Sequence, residues 1–141
     1  MTASSDASEV FERRFGGLRR LYGIEGAQRI FDANAIVVGI GGVGSWAAEA
    51  FARSGVGRIT LIDLDHVSES NTNRQIHALS STHGQAKIEA MRDRIAQINP
   101  QAQVQLIDDF VNPDNWLDCL RQADLHPDQR LVVVDACDQV M

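Results

Sequence analysis

Cysteine is scarce in this chain: its 141 residues hold two, Cys119 and Cys137, with no CxxC pair. That excludes a disulfide framework and argues against a zinc site within the chain. Both are expected as small, buried, apolar residues. Long hydrophobic runs are also missing, and none approaches the roughly 18 residues that a membrane span needs. The first residues lack a basic start followed by an apolar stretch, so they do not read as a secretory signal. A cytoplasmic protein with no membrane partner is expected. Positive charge is in deficit, with a formal net charge of −6. A domain that grips nucleic acid over its whole surface would carry the opposite balance. The local exception is Arg13, Arg14, Arg19 and Arg20, with Arg29 following, which reads as a solvated helix face.

What is present is ordinary for a soluble domain: 44% hydrophobic and 23% charged residues, enough for one core. Residues 1–9 are small and polar and read as a loose tail. Residues 10–34 form an N-terminal helical segment, with Gly16 and Gly17 interrupting a pattern that runs from Glu9 to Asp32. Residues 35–141 read as a nucleotide-binding α/β domain. Its strands are expected at Ala35–Ile40, Arg58–Asp63, Val104–Ile107 and Leu131–Asp135, all short and rich in β-branched residues. Between them lie helical patterns. One sets Val43, Trp46, Ala47, Ala50 and Phe51 on a single face. A second, with Ile88, Met91, Ile95 and Ile98 on one side, is opened by Thr82 and Gln85 at capping-box spacing and stopped by Pro100. A third follows Asn112-Pro113-Asp114 and runs through Leu120. Alternating strands and helices imply βαβ units, hence a doubly wound, mainly parallel, Rossmann-like sheet. Such a sheet normally continues, so the domain is expected to be incomplete after its fourth strand.

Gly39, Gly41 and Gly44 form GxGxxG between a strand and a helix, with Gly42 inside the turn. Glycine permits the tight turn and lets backbone approach a phosphate. The helix N-terminus then offers free N–H groups and partial positive charge. Asp63, 19 residues beyond Gly44 and at a strand end, suits ribose hydroxyls. So far NAD, FAD and ATP all fit.

The following loop narrows the choice. Asp65, Asn71, Asn73, Arg74 and Gln75 crowd one polar stretch, and Lys87 stands on the next helix. Hydride transfer needs few cations near phosphates. Nucleotidyl transfer needs them, because charge builds on the α-phosphate as pyrophosphate leaves. Arg74 offers a planar fork of donors, and Lys87 a point charge. A lysine near a helix N-terminus is disfavoured by about 0.3–1 kcal/mol, which a bound anion offsets. Asp135 ends the fourth strand and faces the same crevice as Asp63. It could hold Mg²⁺ through one or two oxygens.

Together GIGGVG, LIDLDHV, SNTNRQ, the lysine beyond them and the strand-end aspartate resemble the ubiquitin-activating-enzyme superfamily, from about Arg14 to Asp138. Several stretches are similar to one branch of it, the tRNA threonylcarbamoyladenosine dehydratases. These are Arg14–Gly17, Leu21–Gly23, Gly44–Ala50, Asn71–Leu79, Ile98–Pro100 and Asp108–Val111. The resemblance implies an ATP- and Mg²⁺-dependent enzyme acting on threonylcarbamoylated adenosine 37 of tRNA through an acyl-adenylate, as a homodimer. It implies that Gly41 and Gly42 contact phosphates, Asp63 holds ribose, and Asn71, Arg74 and Lys87 hold the triphosphate. Gln75 would support Arg74, and Asp135 would hold the metal. Related enzymes often carry a second arginine, reaching the partner subunit's ATP, where this chain has Gly17; Arg14 or Arg20 would have to substitute.

Three rivals remain. A sulfur-carrier adenylyltransferase would use the same pocket on a protein C-terminus, with a sulfur-transfer partner. A NAD-dependent dehydrogenase would be indifferent to Arg74. A non-catalytic module would bind ATP without turnover.

Overall fold

The computed structural model describes residues 2–138; Met1 and the last three residues of the expected α/β domain lie outside them. Four strands, β1 (Asn34–Val38), β2 (Arg58–Ile62), β3 (Gln103–Ile107) and β4 (Leu131–Asp135), form one sheet in the order β3-β2-β1-β4. Every pairing is parallel. The order matches the first strands of a doubly wound nucleotide-binding sheet, whose direction of winding reverses between β1 and β4.

Sequence pattern explains the layering. Residues alternate faces along a strand. Ala35 and Val37 of β1 therefore join Ile59 and Leu61 of β2 against helices α3 (Gly44–Arg53) and α4 (Lys87–Ile98). Ile36, Val38, Ile62 and Ile107 face the other way, onto Cys119 and Ala123 around α5 (Trp116–Gln122). β1 is buried along its whole length, as an apolar central strand must be. From α4, Ile88, Met91 and Ile95 enter the core at helical spacing. Each contributes about 1.5–3 kcal/mol of burial.

Before the sheet come α1 (Thr2–Phe15) and α2 (Leu18–Asp32), separated at the expected Gly16–Gly17 break. Gly23, at φ 77°, kinks α2. Phe15, Ala27 and Phe31 pack as a small separate cluster. The ring of Phe11 meets that of Phe31 edge-on, with centroids 5.0 Å apart.

Several expectations need correction. Helix α1 starts at Thr2, so residues 2–9 are helical rather than a loose tail. Helix α3 buries Gly44, Ser45, Ala48, Glu49 and Ala52, whereas Val43, Trp46 and Ala50 are exposed. The larger apolar side chains share a face, but it is the small residues on the other face that let α3 lie close on β1. Thr82 does not cap α4. Its hydroxyl donates to the carbonyl of His77 and accepts from the N–H of Leu79, in a turn ahead of the helix. Helix α4 starts at Lys87, behind Ala86. Cys119 is buried as expected, and burial pushes its thiol up, aided by Asp109 and Asp118. Cys137 is exposed.

Candidate nucleotide-binding site

The C-terminal ends of β1 and β2 and the start of α3 enclose a cleft of about 240 Å³. Gly39, Gly41, Gly42, Asp63, Asp65, Arg74, Gln75 and Lys87 line it, so eight of the sequence-predicted site residues meet in one place.

The glycines divide into two kinds. At Gly39, with φ 85°, a Cβ would lie 2.9 Å from the carbonyl oxygen of Ala136. At Gly44 it would lie 1.6 Å from the oxygen of Gly39. Those two are required by chain packing. Gly41 and Gly42 face the cleft, where a Cβ would meet side-chain atoms of Gln75 and Arg74 no nearer than 3.6 Å. Ile40 is fixed from two sides. Its N–H donates to Asp63 Oδ2 at 2.7 Å, and its carbonyl lies 2.7 Å from His77 Nε2. Among the described residues, no acceptor takes the N–H groups of Gly41, Gly42 or Val43. They stand at the positive end of α3, a geometry suited to an anion.

Asp63 uses its other oxygen to accept the N–H of Asp65 at 2.8 Å. Each oxygen keeps one lone pair for hydroxyl donors. Arg74 is held by its surroundings. Its Nη1 donates to the carbonyl of Ser70 and to Asn73 Oδ1, both at 2.9 Å. Its aliphatic stem lies beside Gly42.

Lys87 is the only lysine in the chain. It occupies the first position of α4, is 7% exposed, and forms no ion pair among the described residues. A buried ammonium at a helix N-terminus is doubly disfavoured unless an anion joins it. The cleft as a whole is not cationic: Asp63, Asp65, Asp109 and Asp138 line it beside Arg74 and Lys87. Cations and free N–H groups collect around the glycine turn, and carboxylates crowd the adjoining rim.

Asn71, Asp135 and Arg14 do not line the cleft, and Gln75 lines it without supporting Arg74. Asn71 is buried, and its Oδ1 accepts the N–H of Ser68 at 2.9 Å, closing a 3₁₀ turn over Glu69–Asn71. It shapes the loop rather than lining the cleft. Gln75 packs beneath Gly41, and the support for Arg74 comes from Asn73. Gln75 Oε1 is buried without a partner. Asp135 lines an apolar pocket beside the cleft, with Val38, Phe110 and Trp116, and accepts the N–H of Cys137 at 3.2 Å. Arg14 is far from the glycine turn in the chain's own fold. Its Nη1 donates to the carbonyls of Gln97 and Ile98 at the end of α4. Sequence reasoning missed Asp109, Phe110, Val111, Cys137 and Asp138, all of which follow strand ends and were recoverable from that position alone. It also missed His77, 1% exposed, which nothing in its local pattern marks. Burial lowers its pKa, the carbonyl of Ile40 opposes that, and nearby Lys87 lowers it further.

Fold and site together define a nucleotide-binding α/β domain of the kind that places cations at a polyphosphate. A family model described as the ThiF family matches residues 14–141, and the chain belongs to that family. The tRNA threonylcarbamoyladenosine dehydratase of Escherichia coli K12 is 60% identical over 108 residues, which is 77% of this chain and 40% of that protein. The molybdopterin-synthase adenylyltransferase of Salmonella typhimurium LT2 is 46% identical over 81 residues, 57% of this chain and 32% of that protein. A crystal structure of the E. coli dehydratase in complex with ATP superimposes with a TM-score of 0.83 at 53% identity, covering 92% of this chain and 51% of the other. The chain therefore spans about half the length of the relatives it matches or less.

Proposed function

We propose that this chain is the nucleotide-binding part of an ATP-dependent enzyme that dehydrates N6-threonylcarbamoyladenosine at position 37 of tRNA. The observation that carries the reading is Lys87: buried, without an ionic partner among the described residues, and facing the same cleft as Arg74 and the free N–H groups of the glycine turn. The high identity to a dehydratase and the ATP complex of its E. coli counterpart support the substrate and the nucleotide.

In this reading the β- and γ-phosphates lie over Gly41, Gly42 and Val43, and Asp63 receives the ribose hydroxyls. The threonyl carboxylate attacks the α-phosphorus, the α–β bridging bond breaks, and pyrophosphate leaves. Arg74 and Lys87 meet the charge that develops on the α-phosphate, a contribution worth about 10²–10³ in rate for one such donor. The carbamoyl group then closes on the activated carbonyl and AMP departs, so the nucleoside loses one water. Asp135 is exposed and has one oxygen free of hydrogen bonds among the described residues. It fits Mg²⁺, which takes one or two carboxylates and completes its shell with phosphate and water. Magnesium there would neutralise phosphate charge beside the acidic rim.

We place the enzyme in the cytoplasm, with its tRNA; among the described residues no helix is long and apolar enough to cross a membrane. A homodimer is part of this reading, with Trp46 on the outer face of α3 54% exposed. Arg14 would reach a partner's nucleotide only by releasing the end of α4.

The test is mass spectrometry of the nucleoside after incubating the full-length protein with ATP and threonylcarbamoylated tRNA. An ATP-dependent loss of one water is expected, and no mass change would reject the substrate. Similarity to the molybdopterin-synthase adenylyltransferase favours a second reading, activation of a sulfur-carrier C-terminus. ATP–pyrophosphate exchange that requires a ubiquitin-like carrier, and not tRNA, would select it.

A further inference from the structure

The basic run near the N-terminus does not stay together in the fold. Arg13 pairs with Glu9, and Arg19 with Glu12. Arg14 turns away from both and meets Arg53 of α3 and Arg94 of α4 around an open groove of about 480 Å³. Its other walls are Phe15, Gln97 and Ile98, so each charged side chain lining the groove is an arginine.

One carboxylate lies beneath them. Glu49, 5% exposed, accepts from Arg94 Nε at 2.6 Å and Nη2 at 3.1 Å, and from Arg53 Nε at 2.8 Å. Burial pushes its carboxyl up, but those hydrogen bonds more than offset the effect and hold it below its ordinary value. It is therefore ionised and orients both guanidiniums. Arg14 is held by uncharged carbonyls of α4. Three positive groups thus stand against one negative, on a chain whose net charge is −6. A guanidinium carries five N–H donors. Among the described residues, no hydrogen bond takes Nη1 of Arg94, Nη2 of Arg53 or Nη2 of Arg14.

Oriented guanidiniums with donors to spare match phosphate oxygens. Phe15, 4% exposed, gives a base no ring face to stack on, and no glycine turn cradles a free nucleotide. The groove suits a backbone phosphate, held without regard to base sequence. Helices α3 and α4 both start at the nucleotide cleft, at Gly44 and Lys87, and run ten and twelve residues to Arg53 and Ile98. Arg53 and Arg94, nine and seven residues past those starts, therefore lie about 10–14 Å along the helices from the cleft. One RNA strand can span that interval with a base in the cleft and phosphates in the groove.

We propose that Arg14, Arg53 and Arg94 form a docking site for the sugar–phosphate backbone of the RNA substrate. This rests on the tRNA reading above. The experiment is a fluorescence-anisotropy titration of full-length protein with a labelled tRNA transcript at several salt concentrations, comparing wild type with Arg53→Gln. Arg53 is chosen because Glu49 keeps Arg94 when it is replaced. Arg53→Gln is expected to weaken tRNA binding about five-fold and to lower the slope of log affinity against log salt by about one. ATP affinity stays unchanged, and the unfolding midpoint falls only by a few degrees, because Arg94 still pairs with Glu49. An unchanged tRNA affinity and slope, alongside ATP-dependent dehydration by the wild type, overturns this site and leaves the enzyme reading intact. Weaker tRNA binding accompanied by dissociation of subunits in sedimentation also overturns it, because the groove then joins copies of the chain. Failure of wild type to bind tRNA at all rejects both readings.

Discussion

The indole N–H of Trp46 donates to the carbonyl oxygen of Arg74 at 2.9 Å, tying the polar loop to the first turns of helix α3. The bond sets the loop's height above the glycine turn, and the stem of Arg74 then rests beside Gly42. Trp46→Phe keeps the ring and loses the donor. It is expected to raise the KM for ATP several-fold while lowering the unfolding midpoint by no more than about 5 °C, since one exposed hydrogen bond contributes about 0.5–1.5 kcal/mol. An unchanged KM would show that the loop holds its position without this tie.

Lys87 separates activity from stability. Lys87→Met preserves much of the volume and removes a buried ammonium that has no ionic partner among the described residues. The unfolding midpoint without nucleotide should stay level or rise, because that charge is costly to bury. ATP–pyrophosphate exchange should fall by roughly 10²-fold or more. A variant that lost stability and kept exchange would contradict the placement of this lysine at the phosphates.

The glycines should respond unequally. Gly44→Ala places a methyl against the carbonyl of Gly39 and should prevent folding or cost more than about 3 kcal/mol. Gly41→Ala should fold, because its nearest side-chain atom stays 3.6 Å from the added Cβ. It should bind ATP poorly, with the methyl where phosphate approaches. Urea unfolding and ATP titration of the two variants make the comparison. Equal stability in both would refute the division.

His77 imposes a pH dependence. Its folded pKa is lowered from the ordinary 6.5, chiefly by burial. The unfolded chain therefore takes up this proton before the folded one does. The stabilising contribution is complete above pH 6.5 and is lost as pH falls towards the lowered folded value. The slope in that window is at most about 1.4 kcal/mol per pH unit. His77→Gln should keep a donor near Ile40 and flatten this part of the curve between pH 7.5 and 5.5. A variant whose midpoint falls as steeply as the wild type's would assign the slope to another group.

Much of the architecture was legible in the residues. The four apolar segments became four parallel strands, with ends displaced by one or two residues, and the glycine run became the turn between β1 and α3. Asp63, Arg74 and Lys87 met in one cleft, because strand-end and helix-start positions in such a sheet converge on one edge. The structural part that Asn71 plays was not legible: its Oδ1 accepts the N–H of Ser68 and closes the turn in the loop. Which face of α3 turns inward was not legible either: the small residues Gly44, Ser45, Ala48 and Ala52 make the close approach, and Trp46 stays outside.

The sequence alone determined local properties: which segments are extended, where the backbone must be glycine, and which residue types can meet a phosphate. These follow from torsional preference and from periodicity over a few residues. Tertiary structure decided which distant groups share a space. Arg14 lies 80 positions before Arg94 in the chain yet lines the same groove, and Lys87 is buried rather than solvated. Each outcome depends on how close two helices come over the sheet, and that distance is set by the packing of the whole core.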